Sequence, residues 1–201
     1  RHLDNDARAR IHVELARALE ATGRADARDL AHHYHAGGAE GDAWIHAVRA
    51  GDAALAGLAF DRAADLYALA ISCKKGSRYE RSSIEIRWAD ALVHAGRCAE
   101  AAPVFLAAAS KRGGAEAWDL RRRAAEQLLV SGRIDEGVGA LVPVLEDVDL
   151  SYPSTPRRAM LAVVARFVQL EARGRRFRAR AEHDVIERDL RRFEACWSAG
   201  K

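Results

Sequence analysis

Apolar residues recur along this chain at the spacing of a helix, not of a strand. Ile11, Leu15, Ala18 and Leu19 form one stripe, and Ile84, Trp88, Ala91, Leu92 and Ala95 another. Spacings of i, i+4, i+7, i+8 and i+11 place side chains on one face of a 3.6-residue helix. Glycines at Gly23, Gly37-Gly38, Gly57, Gly96, Gly113-Gly114 and Gly132 follow or divide these stripes, in the position where a helix commonly ends. Asp26 is placed to cap a helix carrying Leu30, Ala31 and Tyr34.

The pattern therefore predicts helices in pairs, the first over about 4–21 and the second after Asp26. Trp44, Val48 and Leu55 pair with Phe60, Leu66 and Tyr67; the Ile84 stripe pairs with Ala101, Phe105 and Ala108; Trp118, Leu128 and Leu129 pair with Ile134, Val138, Leu141 and Leu145. Pro103 and Pro143 fall inside second helices, where a missing N–H and a ring clash predict kinks. Tyr152-Pro153-Ser154-Thr155-Pro156 predicts a loop, followed by an apolar helix over Met160–Leu170 and a last helix over about 180–197.

One motif returns three times. Gly51, Ala63, Tyr67 and Ala70 form the first copy, Ala89, Ala101, Phe105 and Ala108 the second, and Ala125, Gly137, Leu141 and Val144 the third. The internal spacings are 12, 4 and 3 residues in every copy, and the copies begin 38 and 36 residues apart, a period typical of repeated helical hairpins. A residue where two helices cross closely must be small, and a bulky residue must fill the space beside it. Gly51, Ala89 and Ala125 meet the first demand, and Tyr67, Phe105 and Leu141 the second. The expected fold is all-α, an α-solenoid of antiparallel helix pairs: a hairpin array over 1–150, continued by a C-terminal helix pair over 151–201.

Composition narrows the function. Apolar residues make up 49% and charged residues 30% of the chain, which suits a folded soluble protein rather than a disordered one. A formal net charge of +3 gives no overall case for nucleic-acid or membrane affinity. Cys73, Cys98 and Cys196 are too few and too irregularly spaced for a disulfide framework or a zinc ladder. A reducing cytoplasm is the expected location. The longest purely apolar run, Ala159 to Ala165, is far short of the roughly 20 residues of a membrane span. A start at Arg1 and an end at Lys201, directly after a helix, suggest a piece of a longer polypeptide.

The small and large positions resemble those of tetratricopeptide repeats, although Ala47, Glu85 and Arg121 stand where that family carries an early tryptophan, and Lys75, Gly113 and Asp149 where it carries a closing proline. A second resemblance covers nearly the whole chain. Ala31-His32-His33-Tyr34, Ala50-Gly51-Asp52 and Phe60-Asp61-Arg62-Ala63-Ala64-Asp65-Leu66-Tyr67 are similar to the helical region that follows the ATPase module of large bacterial signalling proteins. Arg123-Ala124-Ala125-Glu126-Gln127-Leu128-Leu129, Gly132-Arg133-Ile134-Asp135-Glu136-Gly137, Tyr152-Pro153-Ser154-Thr155-Pro156-Arg157-Arg158-Ala159 and Cys196-Trp197-Ser198 resemble one branch, serine/threonine kinases with an AAA-type ATPase and a tetratricopeptide-like C-terminal half. The resemblance implies a regulatory or scaffold segment rather than a catalytic domain. Neither a P-loop nor a kinase catalytic-loop or Asp-Phe-Gly signature occurs in the sequence, and no cofactor or metal is expected.

In tetratricopeptide-like stacking, the residue after each small position lines the concave face. Here it is Asp52, Asp90 and Glu126, flanked by Val48, Ile86 and Arg122 one turn earlier and Leu55, Val93 and Leu129 one turn later. The resemblance thus implies a groove for a protein or peptide partner, including the parent's own ATPase or kinase modules. An acidic ladder between apolar rows suits an amphipathic segment bearing Lys or Arg, while acidic residues are also ordinary on exposed helix faces.

Other signals point elsewhere. His32 and His35 meet at i, i+3 on one helix, but no cysteine or carboxylate stands beside them at ligand spacing. Cys98 begins a helix near His94, where the dipole favours a thiolate, yet a cysteine nucleophile also needs an oriented base and an oxyanion pocket. Arg173, Arg175, Arg176, Arg178 and Arg180, with Phe177 among them, raise the alternative of a nucleic-acid-binding helical domain, against which Glu182, Asp184 and Glu187 follow at once. An unrecognised all-helical enzyme is the remaining alternative.

Overall fold

A computed structural model describes residues 4–153, 155–174 and 185–200. These residues form ten helices and no strand: α1 (Asn5–Ala21), α2 (Ala27–Ala36), α3 (Glu40–Ala56), α4 (Phe60–Ser72), α5 (Arg78–His94), α6 (Cys98–Ala109), α7 (Gly114–Val130), α8 (Ile134–Glu146), α9 (Pro156–Arg173) and α10 (Glu187–Ala199). From α1 to α8 each helix packs against the next in sequence. The observed fold is all-α.

Local sequence explains where the helices begin. Asp26 accepts a hydrogen bond from the Arg28 N–H at the start of α2, and Ser77 and Glu80 cap α5 reciprocally. Thr155 caps α9, with Pro156 in the first turn, where its missing N–H costs nothing. Helices α6 and α8 run through Pro103 and Pro143 without ending.

Between helices the same turn recurs. After α5 the Arg97 N–H donates to the Leu92 carbonyl and the Gly96 N–H to that of Val93, while Gly96 adopts φ 76. This double closure with a left-handed residue satisfies carbonyls that the helix end leaves free. Equivalent bonds form at Gly38, Leu58, Gly132 and Asp149.

All twelve positions of the repeated motif are buried. A Cβ added at Gly51 would stand 2.7 Å from Tyr67 Cε1, and one at Gly137 would stand 2.7 Å from Leu129 Cδ2. The small residues are thus closed on by larger side chains, as their size requires. The main apolar cluster runs through Ala47, Ala63, Tyr67, Leu92, Ala101, Phe105 and Leu120; a second joins Trp118, Ala125, Leu141 and Val144 to Ala195 of α10. A third, Ala16, Leu30, Tyr34, Ala43 and Cys73, closes the N-terminal end. Buried alanine is frequent at these contacts, letting helix axes approach closely.

The last two helices differ from the rest. Helix α10 packs on α7 and α8, whereas α9 buries none of its residues. Met160, Leu161, Val163, Val164, Phe167, Val168 and Leu170 of α9 all face solvent. No helix among the described residues is long and apolar enough to cross a membrane.

Candidate partner groove

The nine groove residues anticipated from sequence lie on three helices: Val48, Asp52 and Leu55 on α3, Ile86, Asp90 and Val93 on α5, and Arg122, Glu126 and Leu129 on α7. Asp52 is exposed and the other eight are half-buried. Val48, Leu55, Ile86 and Val93 rest their inner surfaces on the main apolar cluster, and Leu129 on the second. Each apolar row therefore combines a packed base with an accessible edge.

The carboxylates between those rows are paired with arginines. Arg87 Nη1 of α5 reaches Asp52 Oδ1 of α3 at 2.6 Å, and Arg123 of α7 pairs with Asp90 of α5. The two bridges repeat one geometry, an acid on one first helix and an arginine on the next. Each guanidinium also lies over the aromatic of the intervening hairpin, Arg87 5.8 Å from the Tyr67 centroid and Arg123 4.2 Å from that of Phe105. The Tyr67 hydroxyl completes the first unit by donating to Asp52 Oδ1 at 2.7 Å. Burial, reinforced by the Asp52 carboxylate, holds the Tyr67 hydroxyl well above its ordinary pKa, so it remains a donor.

The third unit is built differently. Arg122 Nη1 bonds Glu126 Oε2 at 3.2 Å on the same helix and Ser198 Oγ of α10 at 2.7 Å, while Ser198 Oγ donates to Glu126 Oε2 at 3.0 Å. Helix α10 thus covers this end, and Arg191 lies over Trp118 at 5.9 Å. A cleft of about 480 Å³ remains between α7 and α10, lined by Trp118, Asp119, Arg122, Leu190, Arg191 and Glu194 among others.

Sequence reasoning located the acids but not their partners. The missed signal is an arginine two residues before each small position, Arg49, Arg87 and Arg123. Pairing gives these carboxylates guanidinium partners within the chain, which removes much of the excess negative charge on which a preference for a Lys- or Arg-bearing ligand rests. The nine residues thus comprise half-buried apolar side chains and acids paired with arginines.

The other sequence signals resolve individually. His94 stacks on Phe60 with centroids 4.9 Å apart. His12 and His33 bring their Nδ1 atoms to 2.9 Å across α1 and α2, and His35 approaches Glu40 and Cys73. Of the arginine run, Arg173 ends α9, while residues 175–180 lie outside the described residues. The chain matches no family model, no curated protein and no solved structure.

Proposed function

We propose that this chain is a non-catalytic protein-interaction segment, a tetratricopeptide-like array of helix hairpins acting as a regulatory or scaffold part of a signalling kinase–ATPase. The observation that carries the interaction reading is the face made by α3, α5 and α7. Its apolar rows, Val48 with Ile86 and Leu55 with Val93, keep accessible edges and are held in register by the Asp52–Arg87 and Asp90–Arg123 bridges. An amphipathic helix laid across such rows buries its apolar stripe in the grooves between them.

The exposed half-cylinder of α9 supports the same class of function. Seven large apolar side chains on one helix exceed what a monomeric protein ordinarily leaves in water. The kinase–ATPase context rests on the sequence resemblance alone.

A photo-crosslinking residue at Ile86, compared with one at the exposed Leu106 of α6, tests the groove in the host cell. The proposal expects a discrete protein adduct from Ile86, none from Leu106, and loss of the adduct when Val48→Glu is added. Equal labelling from both positions, or no adduct from Ile86, would count against it.

A further inference from the structure

Cys73 ends α4 and is only 3% exposed. Two donors from other helices meet it: His35 in the last turn of α2, and Glu40, the first residue of α3. The sulfur lies 3.9 Å from His35 Nδ1, and the same nitrogen lies 3.3 Å from Glu40 Oε2. All three ligand atoms fall within 4.8 Å of one another.

Those separations can be compared with a coordination sphere. Zinc bonds of about 2.0–2.1 Å to nitrogen, 2.0–2.2 Å to oxygen and 2.3 Å to sulfur, at tetrahedral angles, place N and O about 3.4 Å apart and N and S about 3.6 Å apart. The two observed separations that involve His35 Nδ1 agree within a few tenths of an ångström. The three donor atoms converge on one small region from the ends of α2, α3 and α4. Helices α2 and α4 also present their C-terminal ends here, which favours positive charge, whereas Lys75 near Glu40 opposes it.

We propose that His35 Nδ1, Glu40 Oε2 and Cys73 Sγ form a three-ligand site for Zn²⁺, with the fourth position open to solvent beside the half-exposed imidazole. Thiolate and carboxylate together balance the charge of the ion. Zinc takes the thiolate, so the ion displaces the thiol proton. The Sγ–H bond breaks, the Sγ–Zn bond forms and the proton leaves to solvent with no change of oxidation state. The thiol lies 3.2 Å from the Leu69 carbonyl oxygen and donates to it, a hydrogen bond that metal binding would replace. The bound ion would join α2, α3 and α4 beside the N-terminal cluster, independently of the groove reading.

The test titrates the chelator-treated full chain first with Co²⁺ and then with Zn²⁺. The proposal expects one Co²⁺ per chain, bound with release of one proton and showing tetrahedral visible bands and a thiolate-to-cobalt charge-transfer absorption, then displaced by Zn²⁺ with no further proton release. Cys73→Ser should remove the charge-transfer absorption. Glu40→Gln should weaken zinc by at least about 10–100-fold, the cost of disturbing even an outer-shell partner. His33→Ala, which removes the separate His12–His33 pair, should leave affinity unchanged. Absence of the charge-transfer absorption in the native chain, or zinc affinity unmoved by Glu40→Gln, overturns the site. Those two readouts decide the matter even if Cys73→Ser does not fold.

Discussion

Gly51 shows how one atom constrains the architecture. Tyr67 is fully buried, its hydroxyl is held by Asp52, and a Cβ at Gly51 would meet its ring at 2.7 Å. With the ring unable to swing away, Gly51→Ala should destabilise the chain by about 1–3 kcal/mol, the usual cost of overpacking, measured by urea unfolding. The paired arginines should respond unequally. Arg123 lies closer to its aromatic than Arg87 does, and its side chain is 28% exposed against 38%. Arg123→Ala should therefore cost about 1–2 kcal/mol and Arg87→Ala about half as much, since exposed ion pairs contribute little and stacking gains when desolvated. At this scale the sequence was readable where size alone matters: every small and large motif position is buried. The arginine partners were harder to read, because pairing across hairpins depends on the register between helices.

The helices are joined by turns that place one residue in the left-handed region. Gly96 and Gly132 occupy it without strain, but Leu58 does so at φ 58 while 72% exposed. Leu58→Gly should stabilise the chain by about 0.5–1 kcal/mol, read as a higher urea midpoint, as relief of the left-handed conformation outweighs the greater freedom of glycine when unfolded. Helices α1, α2 and α3 are tied through Glu20, which accepts from the Tyr34 hydroxyl at 2.6 Å and pairs with His46 Nε2 at 3.2 Å. The Tyr34 hydrogen bond lowers the Glu20 pKa, burial opposes this, and His46 adds to the lowering. A carboxyl depressed in the folded state stabilises above its unfolded value, about 4.3, and loses that contribution as pH falls through the folded value. Glu20→Gln should therefore narrow the gap between the melting temperatures at pH 7 and pH 3. Glycine spacing and capping residues made most of these helices legible, whereas the tie through Glu20 brings together residues that no helical period relates.

Across the described residues, three copies of one buried motif lie on α3 to α8, where consecutive helices pack on one another, and their regular spacing is what made the helix pairs visible in the sequence. The C-terminal end was less legible because α10 meets α7 through Ser198 and Ala195, positions outside the repeated pattern. The groove rests on the equivalence of the repeated contacts, since unequal hairpins would not align α3, α5 and α7. Nuclear Overhauser spectroscopy of the labelled chain tests that equivalence most directly. The account predicts contacts from the Gly51 Hα to the Tyr67 ring, from the Ala89 methyl to the Phe105 ring, and from the Ala125 methyl to the Leu141 methyls. Absence of these contacts in any copy, with the chain folded, would contradict it.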